Sequence, residues 1–319
     1  MPRVSVLLAV RNGLPYLDEA IRSITEQTFK DFELIAVDDG STDGTTDLLD
    51  RWSREDSRII VLRQTNQGQT ASLNRAIAVA RGEYLARQDS DDVSEPERFA
   101  RQVESLDRHP HLAVLGSGAT IVDGDGKEIG TQRPPSGPDQ LRDLVWKENV
   151  LVHGSVMMRR RALDQVGTYR PAFRYAKDWD LWLRMMQAGF VIDNLQDCLY
   201  RWRLNPDGAY VRDRSRQVRF AALAKVFAQE RARYGVDSHD DLMAAQEDFE
   251  RFAETYRCRG ALYALWGELA LRSLSDKAAA TRYCLRALSS GYIRPRMLAM
   301  LCLSLSGIGW PGRSPLPSR

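Results

Sequence analysis

The chain has 319 residues, room for one large domain or two ordinary ones. Hydrophobic residues make up 43% and charged residues 28%, as in a globular protein, and a net charge of +2 without a basic block of five gives no bulk drive toward nucleic acid. The four cysteines, Cys198, Cys258, Cys284 and Cys302, are far apart with no C-x-x-C spacing; this argues against a zinc site or disulfide framework and for a reducing, cytoplasmic setting.

Val4–Val10 is a nearly continuous apolar run, as in a strand buried on both faces, and it is followed too soon by Arg11 to be a secretory leader. Asn12-Gly13 turns the chain, and Pro15 suits the first turn of a helix. Leu17, Ala20, Ile21 and Ile24 recur at helical spacing and give that helix an apolar stripe. The cycle repeats. Residues 33–37 read as a strand ending in Asp38-Asp39-Gly40-Ser41-Thr42-Asp43-Gly44, before a helix with Leu48, Leu49 and Trp52. Residues 58–62 form the next strand, Asn66-Gln67-Gly68 a loop, and Leu73, Ala76, Ile77 and Ala80 a helix stripe that Gly82 ends. Residues 84–87 are a fourth strand, with Asp89-Ser90-Asp91-Asp92 at its carboxyl end. Pro96 opens a helix with Phe99, Val103 and Leu106 inward.

Four successive β-α units predict an α/β fold, a mostly parallel sheet flanked by helices on both faces. Such sheets bind ligands beyond the carboxyl ends of their strands, which here collect Arg11, Asp38, Asp39, Asn66, Asp89, Asp91 and Asp92. After residue 110, segments 111–115 and 119–122 read as strands and Asp123-Gly124-Asp125-Gly126 as a hairpin turn. Residues 134–138 are a loop, 154–158 a strand, and 178–189 a helix with Leu181 and Met185 on one face. Asn205-Pro206-Asp207-Gly208 marks the expected division into residues 1–205 and a helical region, 206–319. Within the latter, 260–305 resemble packed helices of repeat type, without a 34-residue period. The apolar stretch 297–310 is shorter than a spanning helix and reads as a buried terminal helix, with peripheral membrane contact, at the inner face, as the alternative because Arg294, Arg296 and Arg313 flank it.

Three constellations carry chemistry. Three carboxylates in the run 89–92 suit a hard divalent cation, which takes one or two carboxylates plus substrate phosphates; the bland alternative is a solvated capping loop. Asp38-Asp39 can accept hydrogen bonds from a ribose or a base, or simply cap the next helix. In Lys177-Asp178-Trp179-Asp180-Leu181-Trp182, Asp178 at a helix start can act as general base, and an indole of Trp179 or Trp182 can form a sugar platform or belong to the core.

Residues 4–12 (VSVLLAVRN), Gln27-Thr28-Phe29, 33–43 (ELIAVDDGSTD), 88–92 (QDSDD) and 178–181 (DWDL) occur in the order and spacing of family 2 glycosyltransferases with the GT-A fold, and the chain resembles that family over about residues 3–204. The resemblance implies an inverting hexosyl transfer from a nucleotide-diphosphate sugar, most often UDP-linked, to the hydroxyl of a saccharide or lipid-linked saccharide. The product class it implies is cell-surface or extracellular polysaccharide or glycoconjugate. It implies nucleotide-sugar contacts at Ala9, Arg11, Asp39, Asn66, Gly68, Asp89 and Ser90, with Asp39 on the base and Asp89 near the ribose. It further implies a divalent metal, Mn²⁺ or Mg²⁺, at Asp91, and Asp178 as the catalytic base.

The family often has Glu-Asp where this chain has Lys177-Asp178, so Lys177 is free to pair with Asp178 or with a phosphate. His153 falls on the acceptor side by the same analogy, as a phosphate or metal contact or as a satisfied interior histidine. Arg201-Trp202 resembles part of the Gln-x-x-Arg-Trp motif of processive synthases, but Cys198 holds the glutamine position. A nicotinamide-binding dehydrogenase would need G-x-G-x-x-G where only Asn12-Gly13 stands, and no G-x-x-x-x-G-K-[ST] is present. The rival from another class is a non-catalytic carbohydrate- or protein-interaction module on a decayed transferase fold. Its mark would be loss of Asp91 or Asp178, and both are retained.

Overall fold

The computed structural model describes residues 1–204 and 213–235, with isolated positions beyond. The chain divides into two compact units, Met1–Asp237 and Ser238–Arg319. In the first, strands β1 (Val4–Val10), β2 (Phe32–Asp38), β3 (Ile59–Arg63) and β4 (Tyr84–Asp89) alternate with helices α1 (Leu17–Thr25), α2 (Thr45–Glu55) and α3 (Gln69–Val79). The short β5 (Val93–Ser94) and helix α4 (Arg98–Arg108) follow, then β6 (Leu112–Val122), β7 (Glu128–Gln132) and α5 (Pro138–Leu144). A 3-10 turn (His153–Ser155), β8 (Met157–Arg159), α6 (Arg160–Val166), α7 (Lys177–Gln187), β9 (Val191–Arg203) and α8 (Arg214–Tyr234) complete it.

The strands form one sheet in the order β3-β2-β1-β4-β8-β6-β9-β5, with β7 paired to β6. β1 to β4 are parallel to one another, and β8 runs against both β4 and β6. β6 and β9 therefore run with the first four. Alternation along β1 explains the layers: Val4, Val6, Leu8 and Val10 join Leu17, Ile21 and Ile24 of α1, Leu49 and Trp52 of α2, and Phe99, Val103 and Leu106 of α4 in one core cluster. The intervening Ser5, Leu7 and Ala9 face the other side, where α3 packs on β1 and β2. The register sets Ala9 level with Val37 on one side and Asp89 on the other, so the loops after β1, β2 and β4 open at one edge.

Three features differ from the sequence reading. Segments 111–115 and 119–122 are a single strand, β6, that runs through Gly116 and Gly118. A Cβ on Gly116 would lie 2.3 Å from Asn194 Oδ1, so this glycine answers a close approach of β9, not a break. Segment 154–158 begins as the 3-10 turn and becomes strand only at Met157. The thirteen-residue β9, unanticipated, pairs in parallel with β6 across register shifts.

The break expected at 205–208 lies outside the described residues, while the first unit runs on to Asp237. It does so because α8 packs on α7: the Phe173 ring meets Phe220 and Phe227 edge to face, each at 6.0 Å, and Gln187 Nε2 donates to the Ala228 carbonyl at 2.6 Å. The helices expected over 260–305 and the stretch 297–310 lie outside the described residues, isolated positions apart. Among the described residues no helix is long and apolar enough to cross a membrane.

Candidate active site

Asp39, only 4% exposed, stands just past β2. Its carboxylate accepts from Gln64 Nε2 at 2.7 Å, from the Gln67 N–H at 2.8 Å and from the Gly68 N–H at 2.8 Å. It thereby holds the loop that carries Asn66 and Gly68, both exposed. A carboxylate has about four acceptor sites, so roughly one remains for a ligand donor. Gly68 takes φ +89°, a conformation that favours glycine, where α3 begins. Asp38 braces the loop before α2 instead: its two oxygens accept from the Ser41 N–H at 3.0 Å and the Thr46 hydroxyl at 2.6 Å. Asn12, at φ +53°, fastens the first loop to the second by accepting from the Thr42 N–H at 2.8 Å. Arg11 beside it is exposed.

The acidic turn is held from beneath. Gln88 Nε2 donates to the carbonyls of Asp89 and Asp92 at 3.0 and 2.9 Å, closing the turn. The buried Arg98 fixes Gln88 in turn, through its Oε1 at 3.2 Å, and donates to the Arg87 carbonyl at 2.7 Å. From β9, Tyr200 receives the Asp89 N–H at 3.1 Å, and the Arg203 N–H donates to Asp92 Oδ1 at 2.7 Å. The Arg203 guanidinium reaches the Asp91 carbonyl at 2.9 Å, the Asp123 and Gly124 carbonyls, and Glu19 of α1 at 2.6 Å. These supports leave the Asp89 carboxylate to Gln69 Nε2, at 3.2 Å, and to the fully buried Arg87. Ser90 and Asp91 lie half-buried at the rim.

Burial first, then the charge of Asp89, pushes Asp91 up to about 6. Burial and the same neighbours raise Asp92 well above the carboxylate range. The turn is thus short of positive charge at Asp91, whose carboxylate takes no side-chain hydrogen bond among the described residues. No cluster of three or more histidine, cysteine or acidic side chains among the described residues can enclose an ion unaided. The half-buried Asp91 carboxylate, without a side-chain partner, is an oxygen donor of the kind a hard divalent cation takes when water and phosphates complete its shell.

Asp178 sits at the start of α7, after Ala176 in a left-handed conformation at φ +51°. Its Oδ2 accepts from Asn149 Nδ2 at 2.6 Å. Two bonds draw the segment before α7 against α3: Thr70 Oγ1 donates to the Phe173 carbonyl at 2.8 Å, and Asn74 Nδ2 to the Tyr169 carbonyl at 2.7 Å. The buried Lys177 consequently feels the charges of Asp178, Arg87 and Asp89 together; burial lowers its ammonium and Asp178 opposes that. His153 Nε2 lies 2.9 Å from the Tyr169 hydroxyl, and burial, then Arg87 and Lys177, hold its imidazole neutral at pH 7. Trp179 and Trp182 are both buried: the Trp179 indole donates to the Val145 carbonyl at 2.7 Å, and Trp182 lies edge-on to His153 at 6.3 Å. Neither indole presents an open face to a sugar. Sequence reasoning did not single out Asn149, Arg98, Tyr200 or Arg203. The one local signal was Arg201-Trp202, next to the arginine that matters.

Nucleotide-sized ligands bind at such a sheet edge, and the fold around it is a known one. TarS residues 1–349 of S. aureus, solved with UDP-GlcNAc, superposes with a TM-score of 0.58 at 17% identity, covering 98% of this chain and 93% of that one. The mannosyltransferase PcManGT of Pyrobaculum calidifontis, solved with GDP-Man and Mn²⁺, superposes with a TM-score of 0.57 at 17% identity, covering 96% and 80%. The sheet and its flanking helices are those of the GT-A glycosyltransferase class. In sequence, EpsE of Bacillus subtilis (strain 168), named as a glycosyltransferase, is 40% identical over 210 residues, 65% of this chain and 74% of that protein. The amylovoran biosynthesis glycosyltransferase AmsE of Erwinia amylovora is 29% identical over 192 residues, 60% of this chain and 71% of that protein. The family described as Glycosyl transferase family 2 matches residues 5–167, and the chain belongs to it.

Proposed function

We propose that the chain is an inverting, metal-dependent hexosyltransferase that moves a sugar from a UDP-linked donor to the hydroxyl of a saccharide or lipid-linked saccharide. We assign it to cell-surface or extracellular polysaccharide synthesis, with the reaction on the cytoplasmic side. The observation that carries the reading is the convergence of the Asp39 loop, the acidic turn and Asp178 at one sheet edge, coupled through Lys177, Arg87 and Asp89. The UDP-GlcNAc bound by TarS supports the donor class, and the process named for AmsE supports the product class. The GDP-Man bound by PcManGT makes guanine the competing base.

In this reading the free acceptor site of Asp39 takes a base N–H, while Ala9, Arg11, Asn66 and Gly68 line the nucleoside. Asp89 and Ser90 lie toward the ribose. A cation held at Asp91 would act as a Lewis acid on the leaving diphosphate. Asp178, oriented by Asn149, takes the acceptor proton as the acceptor oxygen bonds the anomeric carbon from the face opposite the diphosphate. The electron pair of the broken bond leaves on the diphosphate oxygen. One displacement inverts the anomeric centre.

The test is a screen of UDP- and GDP-sugars with the purified chain, following nucleotide release with Mn²⁺, with Mg²⁺ and with EDTA. Release from a UDP-sugar that requires the cation is the expected result. Release from none of the donors under any condition, with simple sugars or membrane lipid extracts as acceptors, would count against the reading.

A further inference from the structure

Lys177 is an electrostatic oddity. Its side chain is 7% exposed. Among the described residues, nothing accepts a hydrogen bond from its ammonium and no carboxylate stands within ion-pair distance. Asp178, its chain neighbour, is engaged by Asn149 instead. Arg87, the second buried cation here, spends its guanidinium on the Leu7 and Gln88 carbonyls and on Asp89, and its Nε has no partner. Asp178 and Asp89 supply opposing charge only from a distance, so the ammonium, largely withdrawn from water, has no direct partner and is placed to take an anionic group.

A group that pairs with this ammonium is anionic and sits between the end of β4 and the start of α7, near Asp89 and Asp178. A diphosphate carries negative charge on each phosphate and fits a site that offers the cations Lys177 and Arg87. We propose that Lys177 is a diphosphate-binding residue: its ammonium pairs with the leaving diphosphate of the donor and supplies positive charge there from within the chain. The inference rests on the donor reading above. Lys177 neither gives nor takes a proton. As the bond from the anomeric carbon breaks, its electron pair settles on the diphosphate, and the acceptor proton passes to Asp178. Lys177 offsets the charge that grows on the leaving group.

The test compares the full chain with Lys177→Gln and Lys177→Arg, with saturating Mn²⁺ and again in EDTA. UDP is titrated by calorimetry and uridine by ligand-observed NMR. Lys177→Gln is expected to weaken UDP about tenfold or more while leaving uridine unchanged, and Lys177→Arg to keep most of the affinity. The ligand-free Lys177→Gln protein is expected to melt no lower than the unaltered chain, because the ammonium makes no hydrogen bond or ion pair that the change would break; this separates lost binding from lost folding. Equal UDP affinity in Lys177→Gln, or an equal loss of uridine, would overturn the inference alone. An unaltered chain that binds neither UDP nor GDP, with or without Mn²⁺, would remove the donor reading and the inference with it.

Discussion

Asp39→Asn alters one oxygen at a carboxylate that accepts three hydrogen bonds, two of them from the backbone N–H groups of Gln67 and Gly68. If the amide oxygen keeps the bonds from Gln64 and Gln67, the new NH₂ group faces the Gly68 N–H, donor against donor. That mismatch costs about 1–3 kcal/mol, and each remaining bond loses roughly 0.5–1 kcal/mol of charge assistance. The loop is only part-buried, which keeps the total near the lower end, about 2–3 kcal/mol. Urea unfolding at pH 7 should show this as a lower midpoint with an unchanged slope. Hydrogen exchange should localise it: protection at Gln67 and Gly68 falls by roughly 30-fold, the equivalent of about 2 kcal/mol. Donor affinity should fall as well, because Asn66 and Gly68 ride on the same loop. An unshifted midpoint with full protection at both amides would refute the claim that Asp39 anchors this loop.

Asp178→Asn should keep nucleotide binding, measured by calorimetry, yet lose transfer by about 10²-fold or more, and near-normal turnover would remove Asp178 from its role as base. Gly154→Ala would place a Cβ 2.3 Å from Tyr200 Oη, and overpacking of this kind costs about 1–3 kcal/mol. The expected outcome is a fall in Tm of several degrees with weakened donor binding, since Tyr200 receives the Asp89 N–H; an unchanged Tm would count against the packing described. Asp91 is pushed up to about 6 from 3.8, so the folded chain binds this proton more tightly than the unfolded chain does. Its contribution to stability therefore falls as pH rises from about 4 to 6, and a bound cation, which favours the ionised form, works the other way. Mn²⁺ affinity should accordingly drop as pH is lowered through 6, and pH-independent affinity between 5 and 7.5 would exclude Asp91 as a ligand.

The first half of the fold was legible because its signals are local. β1 announces itself as an unbroken apolar run, the α1 stripe repeats at helical spacing, and the polar loops mark the strand ends. β9 was not legible, because Asp193, Asn194, Gln196 and Asp197 interrupt its apolar residues and its pairing partner, β6, lies some 80 positions earlier. Gly116 and Gly118 read as an interruption when they answer a close approach from that same distant strand. The carboxylates of the candidate site could be picked out by residue type and family spacing. Their supports could not: Asn149 lies 29 positions from Asp178, and Arg203 lies 112 from Asp91. Lys177 was visible as a departure from the family, but its burial without a partner follows only from how the segment before α7 folds against α3.

The grip of Tyr200 and Arg203 on the acidic turn has a consequence for the order in which the chain is made. A nascent chain that has emerged as far as residue 167, where the family match ends, already carries Asp39, Asp89 and Asp91. It lacks Asp178, and it lacks Tyr200 and Arg203 of β9, which fasten the turn through a hydroxyl and a backbone N–H. The acidic turn can be fastened only after β9 has been translated and has paired beside β6. A gene fragment cut at the family boundary would encode these carboxylates without their fastening. A useful minimal fragment has to extend through α8, to Asp237, where the first compact unit closes.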